Sequence, residues 1–422
     1  MSQPQVYHTS NSFKSIWNVF LLRKSGAVSC VLFRRIRMRA LMNELNNTIQ
    51  SNNISTRKLA KDTGISRTTI TNGLSFVTGE MKFDVFEKLV RHVYKSPIEQ
   101  TRRIKDFILK CGTSLNVRKA LSYCQVAGEY DLIDMLIEKF KMETKDPDFK
   151  KLQKDVRKYL NVYNLYNHRN MNRKKGQSLL EEIYKTRVSS DLECQVLLNT
   201  LLMAAEYDRQ RYSAMSSYAD AAEAYVAKMD NGYIKDCLRM QHMERIAYTQ
   251  LHANEIDSCR ATCHAIINSE LNFTVVKATA YCCLGESYIF ENPLMAEKYI
   301  LKAIQCLEGI SSPKGTQKYN SFKTTLAFLY IEFGFNLDNI DFDFISDGDL
   351  AYYECLYGNK QNGYRIFERL KDQGLSAFQM YYLSRIENDT IMARESLEKF
   401  EKTGSIIYAQ LPKRILITEG VL

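Results

Sequence analysis

The residues best suited to chemistry lie in one run, Ser55-Thr56-Arg57-Lys58-Leu59-Ala60-Lys61-Asp62-Thr63-Gly64-Ile65-Ser66-Arg67-Thr68-Thr69-Ile70-Thr71-Asn72-Gly73-Leu74. Ser55 and Ser66 are N-cap types, each opening a short helical pattern, and Gly64 suits the left-handed position of the turn between them. Leu59 and Ala60 face inward, the small Ala60 lets two helices cross closely, and Ile65, Ile70 and Leu74 anchor the second helix. This leaves Arg67, Thr68, Thr69, Thr71 and Asn72 on its outer face, all able to hydrogen-bond base edges or phosphates. Ser66 with the helix N-terminus can receive a phosphate, and Thr56, Arg57, Lys58 and Lys61 can hold the preceding helix to a nucleic-acid backbone. The bland alternative is an ordinary surface hairpin. Apolar spacing, a turn glycine and a local basic surplus together are more specific than any of them alone.

Other constellations carry less. Cys259-x-x-x-Cys263-His264 would set two thiols on one helix face beside an imidazole, but no second ligand pair follows at finger-like spacing, so no metal is expected. Glycine-rich phosphate loops and nucleophile elbows are absent from the sequence, no His-x-Glu metal motif is present, since His242-Met243-Glu244 has no Cys-x-x-Cys to accompany it, and the six His are scattered. Neither catalysis nor a cofactor is expected. The eleven Cys have no regular spacing and no secretory signal precedes them, which favours a reducing cytoplasm. The apolar stretch Phe13–Phe33 is broken by Lys14, Arg23 and Lys24, too often for a bilayer span.

Charge is unevenly placed. Residues 1–110 hold nineteen Lys+Arg against seven acids, so of the chain's 58 bases and 48 acids the remainder has 39 and 41, a near-neutral body behind a basic head. Such a head attracts phosphate through counterion release.

With six Pro and 18 Gly in 422 residues, the chain reads as all-α. Residues 1–41 form either a basic arm or an extension ahead of a start at Met38 or Met42. Residues 42–96 form a helix-turn-helix domain, closed by the amphipathic segment Phe83–Val93 and ended near Pro97. From residue 97 to 422 the helical pattern continues as an α-solenoid of degenerate tetratricopeptide-like repeats. One unit is quotable: Tyr281-Cys282-Cys283-Leu284-Gly285-Glu286-Ser287-Tyr288, in which Gly285 permits close helix approach while Leu284 and Tyr288 fill the seam, followed by Ala296, Ile300 and Ala303 at helical spacing. Weaker echoes occur around Ala222 and at Tyr382-Leu383, and Asp341–Asp349 reads as a surface loop. A helical array has an inner face on which polar side chains can satisfy the backbone of an extended peptide; Asn199, Gln241, Glu286 and Tyr288 are the candidates.

A helix-turn-helix head joined to such repeats resembles the cytoplasmic peptide-pheromone regulators of Gram-positive bacteria and their phages. Tyr233-Ile234, Leu284-Gly285-Glu286-Ser287-Tyr288-Ile289-Phe290 and Met380-Tyr381-Tyr382-Leu383 are similar to the arbitrium receptor family, AimR, of temperate Bacillus phages. The likeness spans about 42–416 and is low in identity outside those blocks. It implies a homodimer that binds a double-stranded DNA operator, favours lysis, and loses activity when a short linear signalling peptide binds its repeats. Two departures are visible: Gln241 stands where relatives carry Arg and His252 where they carry Asn, which points to a different cognate peptide. In addition, Ile415–Leu422 lacks the Leu-rich last helix associated with dimer contacts in the family. The competing class is a Rap-like interaction protein or phosphatase, whose N-terminal helices contact a response regulator; the Ser55–Leu74 hairpin argues against it. A plain scaffold, stabilised by no peptide, is the third possibility.

Overall fold

The computed structural model describes residues 30–271, 273–310 and 312–422. Most of the arm at 1–41, and of the Phe13–Phe33 stretch, lies outside the described residues. Among these, every regular element is a helix and no helix is long and apolar enough to cross a membrane. The chain divides into two compact units. The first comprises residues up to Thr113 with Glu143–Leu152, the second Ser114–Met142 with Gln153–Leu422.

In the first unit, α1 (Cys30–Ser51) is followed by α2 (Thr56–Thr63), α3 (Arg67–Leu74), α4 (Phe83–Val93) and α5 (Pro97–Lys110). Helix α1 runs unbroken through Met38 and Met42 instead of beginning at either. It buries Met38, Leu41, Met42, Leu45 and Ile49, the one-face spacing of a helix packed on a core. Helix α5 belongs to this unit too, extending it beyond residue 96: Phe107 stacks on Phe86 with ring centroids 4.6 Å apart and meets Phe83 edge-on at 5.7 Å. Periodicity alone could not assign α5, because a buried stripe shows that a helix packs without saying on what.

The second unit contains α6 (Ser114–Ala127), α7 (Tyr130–Lys141), most of α8 (Pro147–Asn170), α9 (Gln177–Lys185), α10 (Leu192–Asp208), α11 (Met215–Lys228), α12 (Tyr233–His252), α13 (Ile256–Ile267), α14 (Thr274–Glu286), α15 (Pro293–Leu307), α16 (Pro313–Phe333), α17 (Asp347–Tyr357), α18 (Lys360–Lys371), α19 (Ala377–Glu387), α20 (Thr390–Thr403) and α21 (Ile406–Thr418). Consecutive helices pack in pairs, as helical repeats do. Helix α6 departs from that pattern. It packs on α12 and α14 as well as on its neighbour α7, and ten of its fourteen residues are buried. Asp341–Asp349 is only partly a loop: Ser346 caps α17 by accepting from the Asp349 amide, and Asp349 is buried, accepting from the Tyr382 hydroxyl at 2.7 Å.

The α14–α15 pair confirms the reading of Gly285. A Cβ there would lie 2.7 Å from Ile300 Cγ1 and 2.9 Å from the carbonyl oxygen of Ala296, so the two backbones touch where any side chain would stand. Leu284 is fully buried beside it, whereas Tyr288 is half-buried and stacks on Tyr299. Gly285→Ala is expected to destabilise the protein by about 1–3 kcal/mol, the usual cost of overpacking, measured as a lower urea midpoint at unchanged m-value. A neutral result would mean that the pair separates freely.

Candidate functional site

The first candidate surface is the α2–α3 hairpin. The Ser55 hydroxyl accepts from the Lys58 amide at 3.1 Å and the Ser66 hydroxyl from the Thr69 amide at 3.1 Å, so both helices start where a local cap fixes them. Gly64 turns the chain at φ +67°. Leu59 and Ile70 are fully buried, which orients the rest. Arg67, Thr68, Thr69 and Thr71 are exposed and Asn72 is half-buried at the edge of the same face. Ser66 is exposed but its hydroxyl is engaged as the cap, also lying 2.8 Å from Thr69 Oγ1. On α2, Arg57, Lys58 and Lys61 are exposed and Thr56 is half-buried. The hairpin thus presents cations and hydroxyls outward from a rigid base.

The second candidate lies within the second unit. Gln125, Val126, Tyr130, Asn170, Gln241, Glu244, Arg245, Val275, Val276, Lys314 and Lys318 line a narrow pocket contributed by α6, α8, α12, α14 and α16 together with Tyr130. Its charges are buried. Lys318 Nζ donates to Glu244 Oε1 at 2.8 Å and to Thr279 Oγ1 at 2.6 Å, and Thr279 Oγ1 donates to the same carboxylate oxygen at 2.8 Å. Arg245 approaches Glu244 Oε2 at 3.5 Å. Burial raises the Glu244 pKa, but the adjacent Lys318 and Arg245 charges outweigh it and hold the carboxyl at about 2. Close by, Arg169 grips Asp208 with two bonds of 2.8 and 2.7 Å. Lys314 donates to the neutral Gln317 Oε1 at 3.0 Å. Burial, then the repulsion of Arg169, Lys318 and Arg245, pushes its pKa well below the ordinary lysine range. Gln241 Nε2 and Arg245 Nε are buried without a hydrogen-bond partner.

Of the four inner-face candidates, Gln241 alone lines this pocket. Asn199 is buried and donates to the Gln195 carbonyl of its own helix. Glu286 is buried and occupied by internal donors, the Tyr408 hydroxyl at 2.6 Å and the Cys282 thiol at 3.4 Å, with burial raising its pKa. Tyr288 lies under Arg260, whose guanidinium sits 3.6 Å from the ring centroid. Cys259 and Cys263 are fully buried while His264 is exposed, so the thiols and the imidazole diverge. Among the described residues no three His, Cys, Asp or Glu are grouped to hold a metal. The pocket residues missed from sequence did leave a trace: Lys314 and Lys318 are four apart and continue the buried stripe of Phe322, and Glu244 falls between buried Cys237 and Tyr248. Polar residues interrupting an apolar stripe at helical spacing are the signal of a buried polar site.

A capped helical hairpin ahead of paired helices defines an all-α repeat protein with a small separate head. Its likenesses are specific. The family model for AimR transcriptional regulator-like proteins matches residues 100–417, well over half of the chain, and the chain belongs to that family. An uncharacterized protein of Bacillus anthracis is 26% identical over 250 residues, covering 57% of this chain and 92% of that protein. Solved structures similar in fold include phAimR with ligand, with a TM-score of 0.64 at 21% identity over 79% of this chain and 96% of that one. The selenomethionine form of phAimR superposes with a TM-score of 0.61 at 21% identity over 90% and 97% of the two chains.

Proposed function

We propose that this protein is a peptide-responsive, DNA-binding transcription regulator that binds a double-stranded operator as a homodimer and loses activity on binding a short linear communication peptide, so controlling phage lysis and lysogeny in the bacterial cytoplasm. The observation that carries the DNA-binding reading is the outward row Arg67, Thr68, Thr69 and Thr71 on a short capped helix whose opposite face, Ile70, is fully buried. Membership of the AimR transcriptional regulator-like family supports regulation, and the ligand-bound phAimR of similar fold supports a receptor role for the repeats. Ile417 and Leu422, 62% and 66% exposed at the end of the chain, offer apolar surface for a dimer contact despite the missing Leu-rich pattern.

The test is a gel shift with the DNA upstream of the protein's own gene across a salt series. A specific complex whose affinity falls steeply with salt is expected. Its absence, with a complex to a response regulator instead, would establish the Rap-like interaction protein; sedimentation of the same samples reads the dimer.

A further inference from the structure

The near-neutral average of the body conceals one basic run: residues 139–158 hold eight Lys+Arg against four acids. Its centre is α8. Phe149, Leu152, Val156 and Tyr159 form the buried stripe of that helix, and Lys150, Lys151, Lys154 and Arg157 are exposed on the opposite side. At about 100° per residue, Lys150, Lys154 and Arg157 fall within about 60° of arc, with Lys151 at their flank. A solvated charged face commonly closes its cations on acids, as Lys174 does on Glu182, Arg260 on Glu291 and Lys371 on Glu368. On α8 the acids are placed otherwise. Asp146 caps the helix, accepting from the Asp148 and Phe149 amides at 3.0 and 3.2 Å, and Asp155 stands about 100° round the helix from Lys154. Among the described residues, Lys150, Lys151, Lys154 and Arg157 have no side-chain hydrogen-bond or ion-pair partner. Their platform is firm: Gln153 Nε2 donates to the carbonyls of Phe140 and Met142, both at 2.8 Å, and so fastens the preceding loop to the helix.

We infer that this face of α8 is a second DNA-contact surface, a stripe that grips the phosphate backbone of duplex DNA without reading sequence. It rests on the DNA-binding reading and enlarges it. At 1.5 Å per residue Lys150 and Arg157 are about 10 Å apart along the helix, which matches roughly three phosphates of one strand at 3.4 Å of duplex axis each. Glu143–Leu152, which carries Lys150 and Lys151, belongs to the same compact unit as the α2–α3 hairpin. The stripe has no aromatic side chain on which a single strand would stack and no apolar side chain to enter a bilayer, so a duplex is the polyanion that fits it.

The full-length protein and a variant carrying Lys150→Gln, Lys151→Gln, Lys154→Gln and Arg157→Gln are titrated by gel shift from about 50 to 200 mM salt. The probes are the DNA upstream of the protein's own gene and an unrelated duplex of equal length. Loss of four phosphate contacts is expected to lower the slope of log affinity against log salt by about 3.6 on both duplexes, so that over this range the wild type loses on the order of a hundredfold more affinity than the variant. The preference for the upstream DNA and the melting midpoint should be unchanged, because Gln is a good helix former and the substituted positions are exposed. Should the fourfold variant fail to fold, Lys154→Gln with Arg157→Gln alone is expected to lower the slope by about 1.8.

An unchanged slope with specific binding intact overturns the stripe and leaves the hairpin as the DNA contact. A lowered slope with no wild-type preference for the upstream DNA keeps the stripe and sinks the operator reading. The absence of any salt-sensitive wild-type complex with either duplex sinks both. Co-flotation with phosphatidylserine vesicles, lost in the variant while the duplex slope stays the same, would give the stripe to a membrane surface and likewise overturns it.

Discussion

Replacing Arg67 and Asn72 together by Ala is expected to weaken specific operator binding by about 2–6 kcal/mol, the sum of two base-edge contacts at about 1–3 kcal/mol each, which is about thirtyfold or more. Arg67 is exposed and Asn72 half-buried, neither packs as part of the core, and the Ser66 cap is untouched, so the melting midpoint should hardly move. A quantitative gel shift on operator and on unrelated DNA separates the outcomes. Loss confined to the operator supports α3 as the reading helix. Equal weakening on both sequences would make the two residues phosphate contacts, and unchanged affinity would remove α3 from the interface.

The other large effect is expected at Glu244. Its carboxylate is the acceptor for Lys318 and Thr279 and the nearest counter-charge of Arg245, all of them buried. Glu244→Gln keeps the shape and removes the charge, leaving two cations buried beside a neutral amide; breaking such a pair costs about 3–5 kcal/mol. The pH dependence has a definite sign. A carboxyl held at about 2 in the folded protein against an ordinary 4.5 contributes stability that is fully present above pH 4.5 and is lost as pH falls toward 2. The difference between wild type and Glu244→Gln in urea unfolding should therefore be largest near neutrality and shrink through that window. A pH-independent difference would mean that the charge of Glu244 is not what stabilises the cluster. A double variant, Glu244→Leu with Lys318→Met, should recover part of the loss by removing both charges at once.

The hairpin was legible in the sequence because everything that shapes it is local. Ser55, Gly64 and Ser66 fix two helix starts and one turn within a dozen residues, and the buried Leu59 and Ile70 decide which side faces out. The all-helical body and the close approach at Gly285 were legible for the same reason. Of the inner-face residues only Gln241 was. Glu286 looked free to meet a ligand, yet its partner Tyr408 lies 122 residues further on, a separation across which no spacing rule reaches. The pocket depends on α6, α12, α14 and α16 converging, so Lys314 and Lys318 carry meaning only once that convergence is known. The same holds for α5, whose place with the first unit is set by Phe86 meeting Phe107.

Helix α6 has a bearing on how the second unit comes apart. A stack in which each repeat touches only the next can fray from either end, one module at a time. Here residues 114–127 are fastened to α12 and α14, so the opening segment cannot settle until the middle of the chain has been made, nor leave without stripping that middle bare. The stretch between them is a closed loop of structure rather than a row of links, and its melting should be abrupt, with amide protons in α6, α12 and α14 exchanging as one group.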